Sequence, residues 1–374
     1  MMSSCISAIG TANPKYRISQ NDIYRFMVKA FGLNATNAAR LKQIYDHSGI
    51  EHRYSVIPDF GETQSHKNTF FGKTENFEPF PGTRDRLQLY QDTASDLAAK
   101  AVNDCFLDHG NDLTSKITHL ITVSCTGMHA PGIDIELVEK LGLNSTIERT
   151  CINFMGCYGS LNALKVADYI CRADQAAKVL IVSVELCTLH FQKANTLDNW
   201  VANSLFSDGA AAVLVENSNE ITNKKKCLTL DTFYSEFLKE ARNEMGWYVG
   251  DAGFEMTLTS KVSKYILKHI QSISNELLKK AKLEFKDIGQ FAVHPGGRKI
   301  LEAAESALGF SMMANRFGYE VLREYGNMSS VTILFVLKKL MMDPEGIEGE
   351  NIMGFAFGPG LTVESMILKR TGNA

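Results

Sequence analysis

The chain has 374 residues, 45% of them hydrophobic and 22% charged, with a net charge of −3. That length can bury a large core, either as one big domain or as two closely packed halves. The near-neutral balance gives no electrostatic footing for a nucleic-acid or membrane-surface partner. In chain order, residues 1–14 show no basic segment ahead of a long apolar run and so do not read as a secretory signal. Strands are expected at His119–Ser124 and over 179–184, 211–216, 291–294 and 361–368. Several are continuous apolar runs of the kind covered on both faces. Leu161, Leu164, Ala167 and Ile170 recur at helical spacing, as do Val262, Ile266, Ile270, Ile273 and Leu277. The apolar run 331–337 fits a helix or a strand equally and is too short to span a bilayer. Alternating strands and helices predict an α/β fold.

An internal echo runs through these elements. Residues 116–123 lead into a glycine-containing turn at Gly127, and residues 287–294 lead into Pro295-Gly296-Gly297. Ser207-Asp-Gly-Ala-Ala-Ala-Val and Phe357-Gly-Pro-Gly-Leu-Thr-Val both read as a tight turn feeding a buried strand. Two similar halves, 1–220 and 221–374, would meet in the polar stretch 217–226.

The eight cysteines are scattered without a CxxC pair, which points to reduced thiols in a cytoplasmic protein and to no metal site. Among them Cys157 stands out, between Gly156 and Gly159 and just ahead of the helical pattern. A helix N-terminus favours thiolate over thiol, although a cysteine alone is more often a buried structural residue. His294 ends an apolar strand before Pro295, where α/β proteins place functional groups, but a structural histidine is as good a reading. Asn327 precedes the run 331–337 and alone reads best as a helix cap. Taken together, the three fit a nucleophile activated by an imidazole, with two donors for an oxyanion.

Gly156-Cys157, His294-Pro-Gly-Gly297, Tyr325-Gly-Asn-Met-Ser-Ser330 and Gly358-Pro-Gly-Leu-Thr-Val-Glu364 resemble the motifs of type III polyketide synthases, the chalcone synthase-like enzymes. Leu205-Phe-Ser-Asp-Gly-Ala-Ala-Ala212 and Ala12-Asn-Pro14 fit as well, so the resemblance covers nearly the whole chain. The wording of the chain is also similar to the C-terminal synthase domain of the slime-mould steely hybrid synthases. The resemblance implies a thiolase-like, five-layered αβαβα fold with two duplicated halves, acting as a homodimer. It implies Cys157 as acyl-accepting nucleophile, with His294 pairing with its thiolate and joining Asn327 in holding the thioester oxygen. No metal or cofactor is implied beyond the acyl thioester and malonyl-CoA substrates.

The resemblance also implies a pocket. Phe206 matches the family's gatekeeper, although a core aromatic is the plainer reading of that residue. Met256 falls on a second gatekeeper position that is usually phenylalanine, and a thioether there leaves a more adaptable, aliphatic wall. Cys125, Thr126, Cys187, His190, Trp247, Ser329, Gly358 and Pro359 are the other wall positions. Coenzyme A phosphates fall to Arg40 and Lys42, but Gln43 and His47 replace two of the family's basic residues. That weaker clamp suggests a starter delivered by an acyl carrier protein. Ala130 stands where plant enzymes place a methionine reaching into the partner's pocket. The expected activity is iterative decarboxylative condensation of a medium-chain or fatty acyl starter with malonyl units. The products would be an alkyl pyrone, alkylresorcinol or acylphloroglucinol. The alternatives are a single-round ketoacyl synthase of the fatty-acid initiation type and a non-catalytic thiolase-fold subunit that binds acyl groups or a carrier protein.

Overall fold

The computed structural model describes residues 3–107, 113–218 and 226–372. The boundary expected at 220/221 lies outside the described residues. The strands are β1 (Ser4–Ala12), β2 (Tyr16–Ser19), β3 (His52–Ser55), β4 (His119–Ser124), β5 (Glu148–Asn153), β6 (Lys178–Leu186), β7 (Asp208–Asn217), β8 (Cys227–Phe237), β9 (Met245–Gly250), β10 (Gly253–Leu258), β11 (Ile288–Val293), β12 (Asn351–Gly358) and β13 (Thr362–Thr371). Nine of them form one sheet in the order β11-β12-β13-β8-β1-β7-β6-β4-β5, while β2–β3 and β9–β10 are separate hairpins.

The sheet repeats a pattern. In its first part β4 and β6 are parallel, and β6–β7 and β7–β1 are antiparallel. In its second part β11 and β12 are parallel, and β12–β13 and β13–β8 are antiparallel. The segments that echo one another in sequence therefore occupy equivalent places, β4 with β11 and β7 with β13. The two parts are continuous through a short seam, Ser4, Cys5 and Ile6 against Leu230, Thr229 and Leu228.

Strand alternation sends side chains into three separate cores, and these define the layers. Leu180, Val182 and Val184 point to an outer core with Tyr90, Leu97 and Ala101 of the helix Thr83–Phe106. Val179 and Ile181 point the other way, into a middle core with the helices Gly159–Ala173 and Thr332–Met342. Phe291, Val293 and Phe355 face a third core under the helices Val262–Ala281 and Arg298–Leu308. Helix, sheet, helices, sheet, helix is the αβαβα arrangement. The run 331–337 is apolar all round because its helix lies between the two parts of the sheet.

Candidate active site

The two middle helices begin side by side on one chamber. Cys157 lies in a 3-10 turn, Gly156–Tyr158, that opens the helix Gly159–Ala173. Asn327 precedes the equivalent 3-10 turn, Ser329–Val331, before Thr332–Met342. Both positive helix ends thus converge on the sulfur. Backbone strain marks the same place, since Phe154 (φ 58°) and Ser329 (φ 49°) are left-handed without being glycine. Gly156 (φ +71°) is left-handed too, and a Cβ on it would lie 2.3 Å from Pro359 Cδ. The Gly358-Pro359 tip of β12 therefore closes directly over the Cys157 turn.

Cys157 is buried, and burial pushes its thiol up to about 12, while hydrogen bonds with Ser329 and Asn327 pull the other way. The Asn327 amide is fixed. Its Oδ1 accepts from Ser329 N at 2.8 Å and its Nδ2 donates to Gly296 O at 3.2 Å, which leaves one amide proton for the chamber. His294 follows the tip of β11, only 1% exposed, and burial pulls its imidazole down to about 3. Neither of its ring nitrogens has a hydrogen-bond partner among the described residues. A buried donor without a partner costs stability and marks a group kept for a ligand.

Glu185, at the end of β6, was not singled out from sequence. It is fully buried and accepts from Cys125 N (2.9 Å), Thr126 Oγ1 (3.0 Å) and Ser330 Oγ (2.5 Å). Burial raises its carboxyl to about 7 despite these donors. An acid ending the buried run 179–184 was the available signal.

Of the expected wall residues, Cys187, His190, Phe206, Trp247 and Met256 line one cavity beside this chamber. Cys125 instead backs the Cys157 turn, its sulfur accepting from Gly156 N at 3.0 Å. Thr126 is engaged with Glu185, and Ser329, Gly358 and Pro359 surround Cys157 itself. On the helix Ala35–Asp46, Lys42 is paired with Asp46, and His47 Nδ1 donates to Gln43 O at 2.7 Å. Among the described residues no group of three or more metal-type ligands comes together, and no helix is long and apolar enough to cross a membrane.

A five-layered fold with a cysteine and an asparagine at the starts of its two middle helices, and a histidine at a strand tip whose turn is bonded to that asparagine, defines a thiolase-like condensing enzyme. The chain matches the chalcone and stilbene synthase N-terminal domain over residues 2–219 and the C-terminal domain of the same family over 229–371. It belongs to that family, the type III polyketide synthases, which are acyltransferases. It is 30% identical over 366 residues to the alpha-pyrone synthesis polyketide synthase-like Pks18 of Mycobacterium tuberculosis, covering 97% of this chain and 90% of that one. Its structure is similar to the C-terminal type III polyketide synthase domain of Steely1, a type I/III hybrid from Dictyostelium (TM-score 0.90, 28% identity, 99% of both chains). It is also similar to PKS-I from the brown alga Ectocarpus siliculosus (TM-score 0.89, 28% identity, 99% of both chains).

Proposed function

We propose that the chain condenses an aliphatic acyl starter with malonyl units, iteratively, on Cys157. The observation that carries this reading is the convergence of Cys157 and Asn327 at two helix starts, near a histidine whose ring nitrogens have no hydrogen-bond partner among the described residues. Cys157 Sγ attacks the starter thioester, expelling its thiol and leaving the acyl group on sulfur. A malonyl thioester loses carbon dioxide, and the resulting enolate attacks the Cys157 thioester. His294 Nε2–H and the free Asn327 amide proton are the donors for the oxyanion. Removing one such donor typically costs roughly 10²–10³ in rate. The extended chain returns to Cys157 for another round and is then cyclised. These steps draw on no metal or redox cofactor.

Burial disfavours a lone charge on either Cys157 or His294, so a thiolate and an imidazolium would have to form together, as a pair. The thiolate is then held by the imidazolium, two helix ends and two hydrogen bonds. In this reading the chain acts as a homodimer through β5, which among the described residues pairs only with β4 and leaves its other edge open and largely exposed. A starter delivered by a carrier protein follows from the weakened clamp at Gln43 and His47, with Lys42 drawn to Asp46 and Arg40 left as the main cation. Supplying malonyl-CoA with a series of acyl thioesters and identifying products by mass spectrometry tests the reading. Cyclised products with two or more added units support it, whereas a lone 3-ketoacyl thioester points to a single-round synthase.

A further inference from the structure

The hairpin β9–β10 stands apart from the nine-stranded sheet, paired from Met245 with Leu258 to Gly250 with Gly253. Tyr248 and Val249 on its outer strand are exposed, so its position is set by its inner side and its tip. On the inner side, the Trp247 indole donates to Cys125 O at 2.7 Å. Phe254 packs on Phe154 with ring centres 5.3 Å apart. Phe154 is the left-handed residue ahead of Cys157, and Cys125 is the residue whose sulfur takes the Gly156 N–H. The hairpin therefore meets the Cys157 turn at both of these supports. His190 fills the corner between them, stacked on Phe254 at 4.2 Å and edge-on to Trp247 at 5.6 Å.

The tip, Gly250 to Gly253, is seated on the start of the helix Thr83–Phe106. A helix start carries backbone donors that its own turns cannot satisfy. Here Thr83 N donates to Asp251 O at 2.9 Å. The Thr83 hydroxyl donates to Gly250 O and accepts from Gly253 N at 2.8 Å, so one side chain joins both strands at the turn. One helical turn further, Arg86 lies against Gly253. A Cβ on Gly253 would stand 2.7 Å from Arg86 Cδ and 3.2 Å from His190 Nδ1, and its φ of +102° favours glycine as well.

Arg86 is fully buried, and among the described residues it has no ion-pair partner. Its Nε donates to Pro81 O at 3.1 Å, and its Nη1 donates to Leu189 O and Phe191 O. Burial pulls the guanidinium down to about 10. A cation buried on carbonyls alone is a costly tie. What it ties is the segment on either side of His190, directly under the hairpin tip.

Building on the iterative reading above, we propose that Thr83 and Arg86 are positioning residues. Together they latch the hairpin tip and so hold Trp247 and Phe254 against the two supports of the Cys157 turn. With the tip seated, Trp247 closes that side of the chamber and limits how far the chain grows before cyclisation. With the tip unseated, the indole leaves Cys125 O and the chamber widens.

The test reads Trp247 directly. The chain has two tryptophans, so Trp200→Phe leaves Trp247 as the only one, and acrylamide quenching reports its exposure. Thr83→Val keeps the shape of the side chain and removes two hydrogen bonds, which is expected to shift the seating equilibrium roughly tenfold towards the unseated form. Quenching is expected to rise in Thr83→Val and, separately, in Arg86→Met. Thr83→Ser, which keeps the hydroxyl, is expected to retain the wild-type value. The same variants with both tryptophans present are then given hexanoyl-CoA and malonyl-CoA, and product lengths are compared by mass spectrometry. The ratio of long to short products is read within one variant, so a general loss of folded protein cancels. Thr83→Val and Arg86→Met are expected to add malonyl units, and Thr83→Ser is not. Unchanged quenching in both Thr83→Val and Arg86→Met would overturn the latch while leaving the functional reading intact. Raised quenching with unchanged product lengths would overturn the hairpin's hold on the chamber. A wild type that makes no polyketide would remove the functional reading, and the product claim with it, while quenching still decides the latch.

Discussion

Cys157 and His294 are buried where a lone charge is expensive, and their displacements run in opposite directions, to about 12 and about 3. Moving one proton from sulfur to imidazole turns two neutral groups into an attracting pair, so that neither charge has to stand alone. In wild type, alkylation of Cys157 by iodoacetamide is therefore expected to reach its plateau well below pH 8. In His294→Ala the plateau is lost and the rate climbs with pH towards the raised thiol value; identical profiles would show that the two groups do not share a proton. Glu185 carries a second pH signature. Its folded carboxyl binds the proton more tightly than the unfolded one, which titrates near ~4.3. Its contribution is therefore best below that value and is lost as pH rises towards about 7, a drop of roughly 4 kcal/mol. Glu185→Gln should flatten the fall in unfolding free energy between pH 5 and pH 8 measured with urea. An unchanged slope would mean that the carboxyl titrates normally.

At the scale of elements, the middle helix Thr332–Met342 supports both the site and the core, since Asn327 and Ser329 lead directly into it. Leu334 is fully buried between the two parts of the sheet. Leu334→Ala should lower unfolding stability by roughly 2–5 kcal/mol, and a loss below half a kcal/mol would show that the layer can collapse around the gap. The apolar runs that became β4, β6, β7, β11 and β13 were readable because each is covered on both faces. So was the helix Val262–Ala281, with its apolar stripe every three to four residues. The run 331–337 was ambiguous, since a helix buried on every side has no polar face to give its period away. β5 left no trace because Glu-Arg-Thr-Cys-Ile-Asn is exposed along most of its length. The hairpin β9–β10 was invisible for another reason: Trp247 and Met256 are brought to the pocket by long-range packing through His190, which no local pattern encodes.

Across the whole molecule, the repeated strand order explains why three motifs far apart in sequence meet. Cys157 and Asn327 hold equivalent places in the repeat, each at the start of a middle helix, and His294 caps β11, the counterpart of β4. Cys157, His294 and Asn327 could be singled out together from turn chemistry and resemblance. The place of Glu185 depends on how the halves close and could not. The open edge of β5 predicts that the chain sediments at twice its own mass at micromolar concentration; a single species at the chain mass would contradict the proposed dimer. The most direct test of the central claim is intact-protein mass spectrometry after incubation with an acyl-CoA, followed by peptide mapping. The prediction is one acyl group on Cys157, absent from Cys157→Ala, which also makes no polyketide. Acylation elsewhere, or the same products from Cys157→Ala, would contradict it.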